Sequence, residues 1–274
     1  MREFNKRADE LANRGIKEHR KQIKEEPVKT AKSTKEIVEE CAAWIKKRVD
    51  AAHAKGIILG LSGGIDSAVV AALAKKACGD NVLCVMMPCH SSPSALEDAV
   101  LVAEAFDLRT VTVDLTDTYD TMKAAMPELI PYGYANIGPR LRMTTLYAMG
   151  SDKGYLVAGT SNRTETMIGY FTKWGDAACD IKPIASFYKY QVYDIARELG
   201  VPERLITKPP TADLWEGQTD EGEIGLTYDE LDGILEFIDD GEEPAGDPAT
   251  IEKVKGLIKK SAHKRDAIPV FELK

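Results

Sequence analysis

The run LGLSGGIDSAVV, Leu59 to Val70, crowds Ser62, Gly63, Gly64, Asp66 and Ser67 between two apolar stretches. Glycines let the backbone approach a ligand closely, and hydroxyls and N–H groups can then face it. Upstream, Gly56 to Leu61 reads as a short buried strand. Downstream, Ala68 to Ala77 is alanine-rich and reads as a helix. A turn that enters a helix N-terminus presents N–H groups and partial positive charge, so it is expected to hold an anion, with phosphate the first choice. No lysine follows to make the GxxxxGK[ST] loop, and GxGxxG does not occur after this strand. The plain alternative is an ordinary glycine turn in which Asp66 caps the helix.

The elements around this turn alternate between the two periods. Ser33 and Glu36 have capping-box spacing, and Ile37, Cys41, Ile45 and Val49 recur every four residues as one face of a helix. After the first strand, turn and helix, Val82 to Met87 reads as a second strand and Pro88 to Ser94 as a loop. Ser94 to Phe106 reads as a helix, and Arg109 to Val113 as a third strand. Helical stretches cover about Thr116 to Met126 and Arg140 to Met149, and Tyr155 to Ala158 is a further strand. This alternation predicts an α/β fold with a doubly wound, mostly parallel sheet flanked by helices. Ligands in such sheets bind beyond the carboxyl ends of the strands. The SGGIDS turn and the GTSNRTE turn, Gly159 to Glu165, both lie there, so Asp66 and Glu165 are expected at one cleft although 99 positions separate them. Lys208 to Gly225 has three glycines and no periodicity, and is expected to form a lid over the site. Asp239 to Asp247, DDGEEPAGD, reads as an acidic surface loop. The expected organisation is a charged arm or helix over 1–32 and one domain over 33–274.

Composition narrows the partners. The 274-residue chain carries 36 basic and 44 acidic residues, a net charge of −8, which argues against nucleic acid. No apolar run approaches a membrane span, and the charged first residues contain no signal core. Five cysteines at irregular spacing make no disulfide framework, so buried reduced thiols and a cytoplasmic location are expected.

Two long blocks then add specificity. The Ser62-Gly63-Gly64-x-Asp66-Ser67 turn resembles the pyrophosphate loop of the N-type ATP pyrophosphatases, which cut ATP between the α and β phosphates. The blocks GTSNRTETMIGYFTKWGDAACDIKPIASFYKYQV and KPPTADLWEGQTDEGEIGLTYDELD resemble the ammonia-dependent NAD synthetases, over most of the chain from about Ser33 onward. The resemblance implies a Rossmann-like adenine nucleotide hydrolase fold. It implies a homodimer with shared active sites that converts deamido-NAD to NAD with ATP as co-substrate, Mg2+ and ammonia. On that resemblance Gly60, Leu61, Ser62, Gly63, Gly64, Ile65, Asp66 and Ser67 wrap the ATP phosphates. Thr160, Lys189 and Thr211 match further ATP contacts, and Asp66 and Glu165 match magnesium ligands. Arg140, Lys173, Asp180, His263 and Lys264 match positions that hold deamido-NAD. The chain departs from the family pattern at its end, where IPVFELK stands in place of paired tryptophans.

Residue chemistry agrees with these roles and leaves alternatives. Magnesium takes hard oxygen ligands, often one or two carboxylates, which suits Asp66 and Glu165; surface capping acids are the alternative. Lys189 would stabilise departing pyrophosphate, or else be a solvated cation at a helix start. Thr160 and Thr211 could serve only their own turns, and Arg140 could face solvent. Lys173 and Asp180 could instead pair with each other. Asp180 is also the candidate acceptor for the ammonium proton. Trp174 and Trp215 read as core or loop anchors, and Cys89 and Cys179 have no activating motif. The first 32 residues leave no room for a glutaminase domain, so free ammonia, or ammonia from a separate partner, is the expected nitrogen donor. Rival readings are another pyrophosphate-loop enzyme, tRNA-modifying or GMP-forming, and a nucleotide sensor without chemistry.

Overall fold

The computed structural model describes residues 32–211 and 219–273. Residues 1–31 of the expected arm over 1–32, and Trp215, lie outside the described residues. The elements in chain order are α1 (Thr34–Ala51), β1 (Gly56–Gly60), α2 (Ile65–Cys78), β2 (Val82–Met86), α3 (Pro93–Ala105) and β3 (Arg109–Thr112). There follow α4 (Thr116–Ala125), α5 (Pro131–Ala135), α6 (Ile137–Lys153), β4 (Tyr155–Val157), α7 (Arg163–Ile168), α8 (Lys189–Leu199) and α9 (Glu203–Thr207). The last are α10 (Asp220–Ile224), α11 (Tyr228–Asp239), α12 (Pro248–Lys260) and α13 (Ala262–Arg265).

The four strands form one parallel sheet in the order β3-β2-β1-β4. The chain winds outward from β1 to β3 and then returns to lay β4 on the other side of β1. That reversal makes the ends of β1 and β4 the switch point where doubly wound sheets bind ligands. Side-chain alternation explains why β1 and β2 are apolar throughout. Ile57, Leu59, Val82 and Cys84 enter one core with α1, α2 and α8, represented by Ile45, Leu73 and Ile195. Ile58, Leu83, Val85 and Val157 enter a second core with Leu115 and, from α6, Leu146 and Met149. A parallel strand covered on both faces has no polar side to show.

Capping sets the helix starts. Ser33 and Glu36 form the expected capping box on α1, with the Glu36 carboxylate accepting from Ser33 N–H at 2.8 Å. Thr227 and Glu230 do the same for α11. Contacts within the chain gather into two compact units. The larger holds Lys32–Arg163 and Phe171–Gly225, and so the whole sheet. Of the described residues, the smaller holds Thr164–Tyr170 and those from Leu226 onward, where α11 packs on α12 and α12 on α13. Asp239 to Asp247 is largely exposed and contains a turn, as expected. The expected irregular segment Lys208 to Gly225 is helical over Asp220–Ile224, because Thr219 caps that turn by accepting from Gly222 N–H. Its residues 212–218 lie outside the described residues.

Candidate active site

β1 ends at Gly60, and Leu61 N–H still reaches Val85 O at 2.9 Å, so the turn begins from a fixed point. Gly63 has φ +79, in the region that disfavours a side chain, and a Cβ there would lie 2.3 Å from Ala95 O. The residue type is thus forced both by conformation and by the closeness of α3. The hydroxyls of the turn are organised on each other. Ser62 and Ser67 hydroxyls lie 3.1 Å apart, Gly64 N–H donates to Ser62 Oγ, and Ser67 Oγ donates to Gly64 O at 2.9 Å.

The helix begins at Ile65 with Gly64 at the cap position and no side-chain cap. Asp66 is therefore inside the first turn and does not cap it, which removes the plain alternative for this residue. First-turn N–H groups have no partner within the helix, so an uncapped start leaves an anion-attracting end.

What holds Asp66 comes from far along the chain. Lys189 Nζ donates to Asp66 Oδ2 at 2.5 Å, and Asn162 Nδ2 donates to Oδ1 at 2.9 Å. Lys189 is 1% exposed and Asn162 fully buried. The alternative of a solvated lysine at a helix start fails: Lys189 opens α8 but turns inward to the acid. The chain joins these pieces through backbone bonds. Gly159 N–H donates to Ile181 O at 2.9 Å, and Arg163 N–H to Phe187 O at 2.8 Å, which stitches the turn after β4 to the segment leading into Lys189. A Cβ at Gly159 would lie 2.6 Å from Cys179 Sγ, so a larger residue there would force Cys179 to shift. Asn162 was missed in the sequence reading, although it sits inside the quoted GTSNRTE turn.

On the same β4 rim, Asp180 accepts from Val157 N–H at 2.8 Å and from the Tyr147 hydroxyl at 3.1 Å. These bonds, and not an ion pair with Lys173, fix its position. Burial, and then the Asp180 charge, push the Tyr147 hydroxyl up to about 12, so it stays a donor. Lys173 instead lies over the Trp174 ring, 5.5 Å from its centre. Trp174 is 54% exposed and has φ +61, so it is no core anchor; the tight KWGD turn throws it outward. Arg140 is exposed at the start of α6 and reaches Lys173 O at 3.4 Å, which brings these two candidate positions together. Thr160 and Thr211 are half-buried in the larger unit.

The remaining candidates belong to the smaller unit. Glu165 stands in the first turn of α7 and accepts from the Tyr228 hydroxyl at 3.3 Å. His263 is exposed on α13. Lys264 Nζ donates to Gly169 O at 2.7 Å, and Arg265 donates to Ser261 Oγ and Ile258 O at 2.6 and 2.7 Å. Lys264 and Arg265 thus serve backbone carbonyls at helix ends, a role that spacing alone did not reveal. Cys41 and Cys84 are buried, while Cys78, Cys89 and Cys179 are half-buried, and all five are free thiols. Burial pushes the Cys41 thiol up to about 11 and the Cys84 thiol up to about 12, and raises Cys89 and Cys179.

Comparison with known proteins places the chain in a family. The family model described as NAD synthase matches residues 37–268. The chain belongs to the NAD synthase family. Among its family relatives it is 46% identical over 235 residues to the NH3-dependent NAD+ synthetase of Carboxydothermus hydrogenoformans, covering 84% of this chain and 94% of that one. It is 42% identical over 254 residues to the enzyme of the same name from Methanocaldococcus jannaschii, covering 88% and 98%. The solved NH3-dependent NAD synthetase of Campylobacter jejuni superposes with a TM-score of 0.78 at 31% identity, over 88% of this chain and all of that one. A solved structure called NMN synthetase, from Francisella tularensis, superposes at 0.81 with 33% identity, over 89% and 100%. Within the NAD synthase family the parallel α/β sheet is the shared frame, and here it carries the Asp66–Lys189–Asn162 network at its switch point.

Proposed function

We propose that this chain amidates deamido-NAD to NAD with ammonia, through an acyl-adenylate formed from ATP. The observation that carries the reading is the phosphate turn at the β1 end with Asp66 gripped by Lys189 and Asn162. In the first step the nicotinate carboxylate of deamido-NAD attacks the α-phosphate of ATP and pyrophosphate leaves. Residues Gly60 to Ser67 cradle the phosphates with backbone N–H groups, and Lys189 offsets the charge that the leaving group gains. Thr160 and Thr211 add hydroxyl contacts to ATP. In the second step ammonia attacks the activated carbonyl and AMP departs, which a free carboxylate could not achieve because oxide is a poor leaving group. Arg140, Lys173, His263 and Lys264 hold deamido-NAD. Asp180, oriented by Tyr147 and Val157 N–H, accepts the ammonium proton.

Asp66 and Glu165 are each proposed as carboxylate donors to magnesium. Asp66 fits the group: its hard oxygens stand at the end of a phosphate turn and its side chain retains 17% exposure. Magnesium supplies charge neutralisation on the phosphates when bound. The reading also includes a homodimer in which the tail completes the partner's site, and a cytoplasmic location, which five free thiols support. Among the described residues no helix is long and apolar enough to cross a membrane.

The test is purified protein with ATP, magnesium, ammonium and either deamido-NAD or nicotinic acid mononucleotide. NAD formed with equal pyrophosphate supports the reading. Preference for the mononucleotide would move the substrate to the NMN synthetase type, and pyrophosphate release without any amide would overturn it.

A further inference from the structure

Beneath the phosphate turn lies a buried acid that no part of this mechanism uses. Gly63 rests on α3, where a Cβ would lie 2.3 Å from Ala95 O and 2.9 Å from Asp98 Cβ. Asp98 is 1% exposed, yet its carboxylate faces two cations, Arg204 Nε at 2.7 Å and Lys208 Nζ at 2.6 Å. Its Oδ1 is buried without an aligned hydrogen bond, so charge pairing with Arg204 is what compensates that oxygen. The two cations are partly exposed and come from one short stretch, Arg204 on α9 and Lys208 at its end. A buried carboxylate is tolerated only while its partners stay, so the pairing fixes α9 and its end against α3.

The chain continues from Lys208 through Pro209 and Pro210 to Thr211. Proline fixes its own φ and restricts the residue before it, so the placement of Lys208 carries forward rather than being lost in a flexible link. Pro210 O also accepts from Asp220 N–H at 3.0 Å, which pins the far side of the same stretch.

We propose that Asp98 is a positioning residue for ATP: it clamps the floor of the phosphate turn and the lead-in to Thr211 to the same helix. This rests on reading the turn and Thr211 as ATP contacts. Through that clamp the turn and the hydroxyl keep one spacing before ATP arrives. Losing either side of the clamp raises the cost of ordering the site, and affinity for ATP falls.

The experiment measures binding of ATP with magnesium by calorimetry, without deamido-NAD, on wild type, Asp98→Asn, Lys208→Gln and the double variant. Each single variant should weaken ATP by about tenfold. The double variant should be no weaker than the weaker single, because both remove the same clamp. In turnover assays the KM for ammonium should stay unchanged, which a loss of folded protein or a general loosening would not predict for the KM of ATP alone. Additive losses, or a Lys208→Gln affinity within about twofold of wild type, would overturn the clamp. If Asp98→Asn does not fold, the partly exposed Lys208→Gln decides the question. A wild-type protein that makes NAD and binds ATP beside unaffected variants overturns the clamp alone. Wild type that binds no ATP overturns the reading of the turn and the clamp together.

Discussion

Two sets of charged residues in this chain contrast both in sequence and in structure. Asp66 and Lys189, 123 positions apart, meet in a pair, Lys189 buried and Asp66 partly so, that Asn162 completes. His263, Lys264 and Arg265, three adjacent basic groups, look like a ready anion site, and two of them also donate to carbonyls of their own unit. A local cluster of charge says little about what the charge faces. A largely buried pair drawn from distant segments carries more meaning, since desolvating both ions is costly unless the geometry has been kept for a purpose.

The sharpest way to break this comparison is to remove the acid. Asp66→Asn keeps the size and one hydrogen-bonding oxygen but loses the charge, and adenylation should fall on the order of 10²-fold or more in kcat/KM. Near-normal turnover at saturating magnesium would return Asp66 to a structural role. Lys189→Met should fall by a similar order and, combined with Asp66→Asn, add little, because the two act as a unit. Independent, multiplying losses would show that the pair is an accident of packing.

Asn162→Ala should cost about tenfold, the weight of one hydrogen bond to a charged group, mostly in kcat. An unchanged rate would mean that Lys189 alone positions the acid. Arg265→Ala tests the other side of the comparison. It should lower stability by roughly 1–2 kcal/mol through the lost bonds to Ser261 Oγ and Ile258 O, seen as an earlier denaturation midpoint, while the KM for deamido-NAD stays as in wild type. A higher KM for deamido-NAD with no loss of stability would add Arg265 to the substrate contacts proposed for His263 and Lys264.

The smallest effect concerns the thiols at the cleft segments. Burial raises the Cys89 and Cys179 thiols above their ordinary value, so each carries less thiolate in the folded state than a free thiol does at the same pH. Alkylation of the native protein in mildly alkaline buffer should be slower than that of the denatured chain, and should speed up as pH rises and thiolate forms. Fast labelling of either at neutral pH would reveal an activating environment.

The sheet was legible because its signals are local. Apolar runs such as Gly56 to Leu61, alanine-rich helix starts and the Ser33–Glu36 box each need only neighbours in the chain. Strand ends differed by a residue, as at Gly60 and Met86, where the edge of hydrogen bonding decides and the apolar pattern runs on. The burial of Lys189 was not legible. Lysine at a helix start gives the same pattern whether it faces water or an acid 123 positions back. The outward Trp174 escaped for a related reason, because its direction follows from a positive φ in a tight turn and not from its size. The Asp180 tether to Val157 N–H and Tyr147 depends on the edge of β4, where sequence offers no partner in advance.

The central claim is that ATP activates the carboxylate before ammonia attacks. It is tested most directly with deamido-NAD whose nicotinate carboxylate carries heavy oxygen. The carboxylate oxygen that attacks the α-phosphate stays with phosphorus when ammonia displaces it, so the account predicts one heavy oxygen in each AMP released and none in pyrophosphate. AMP free of label beside NAD formed at the normal rate would contradict it.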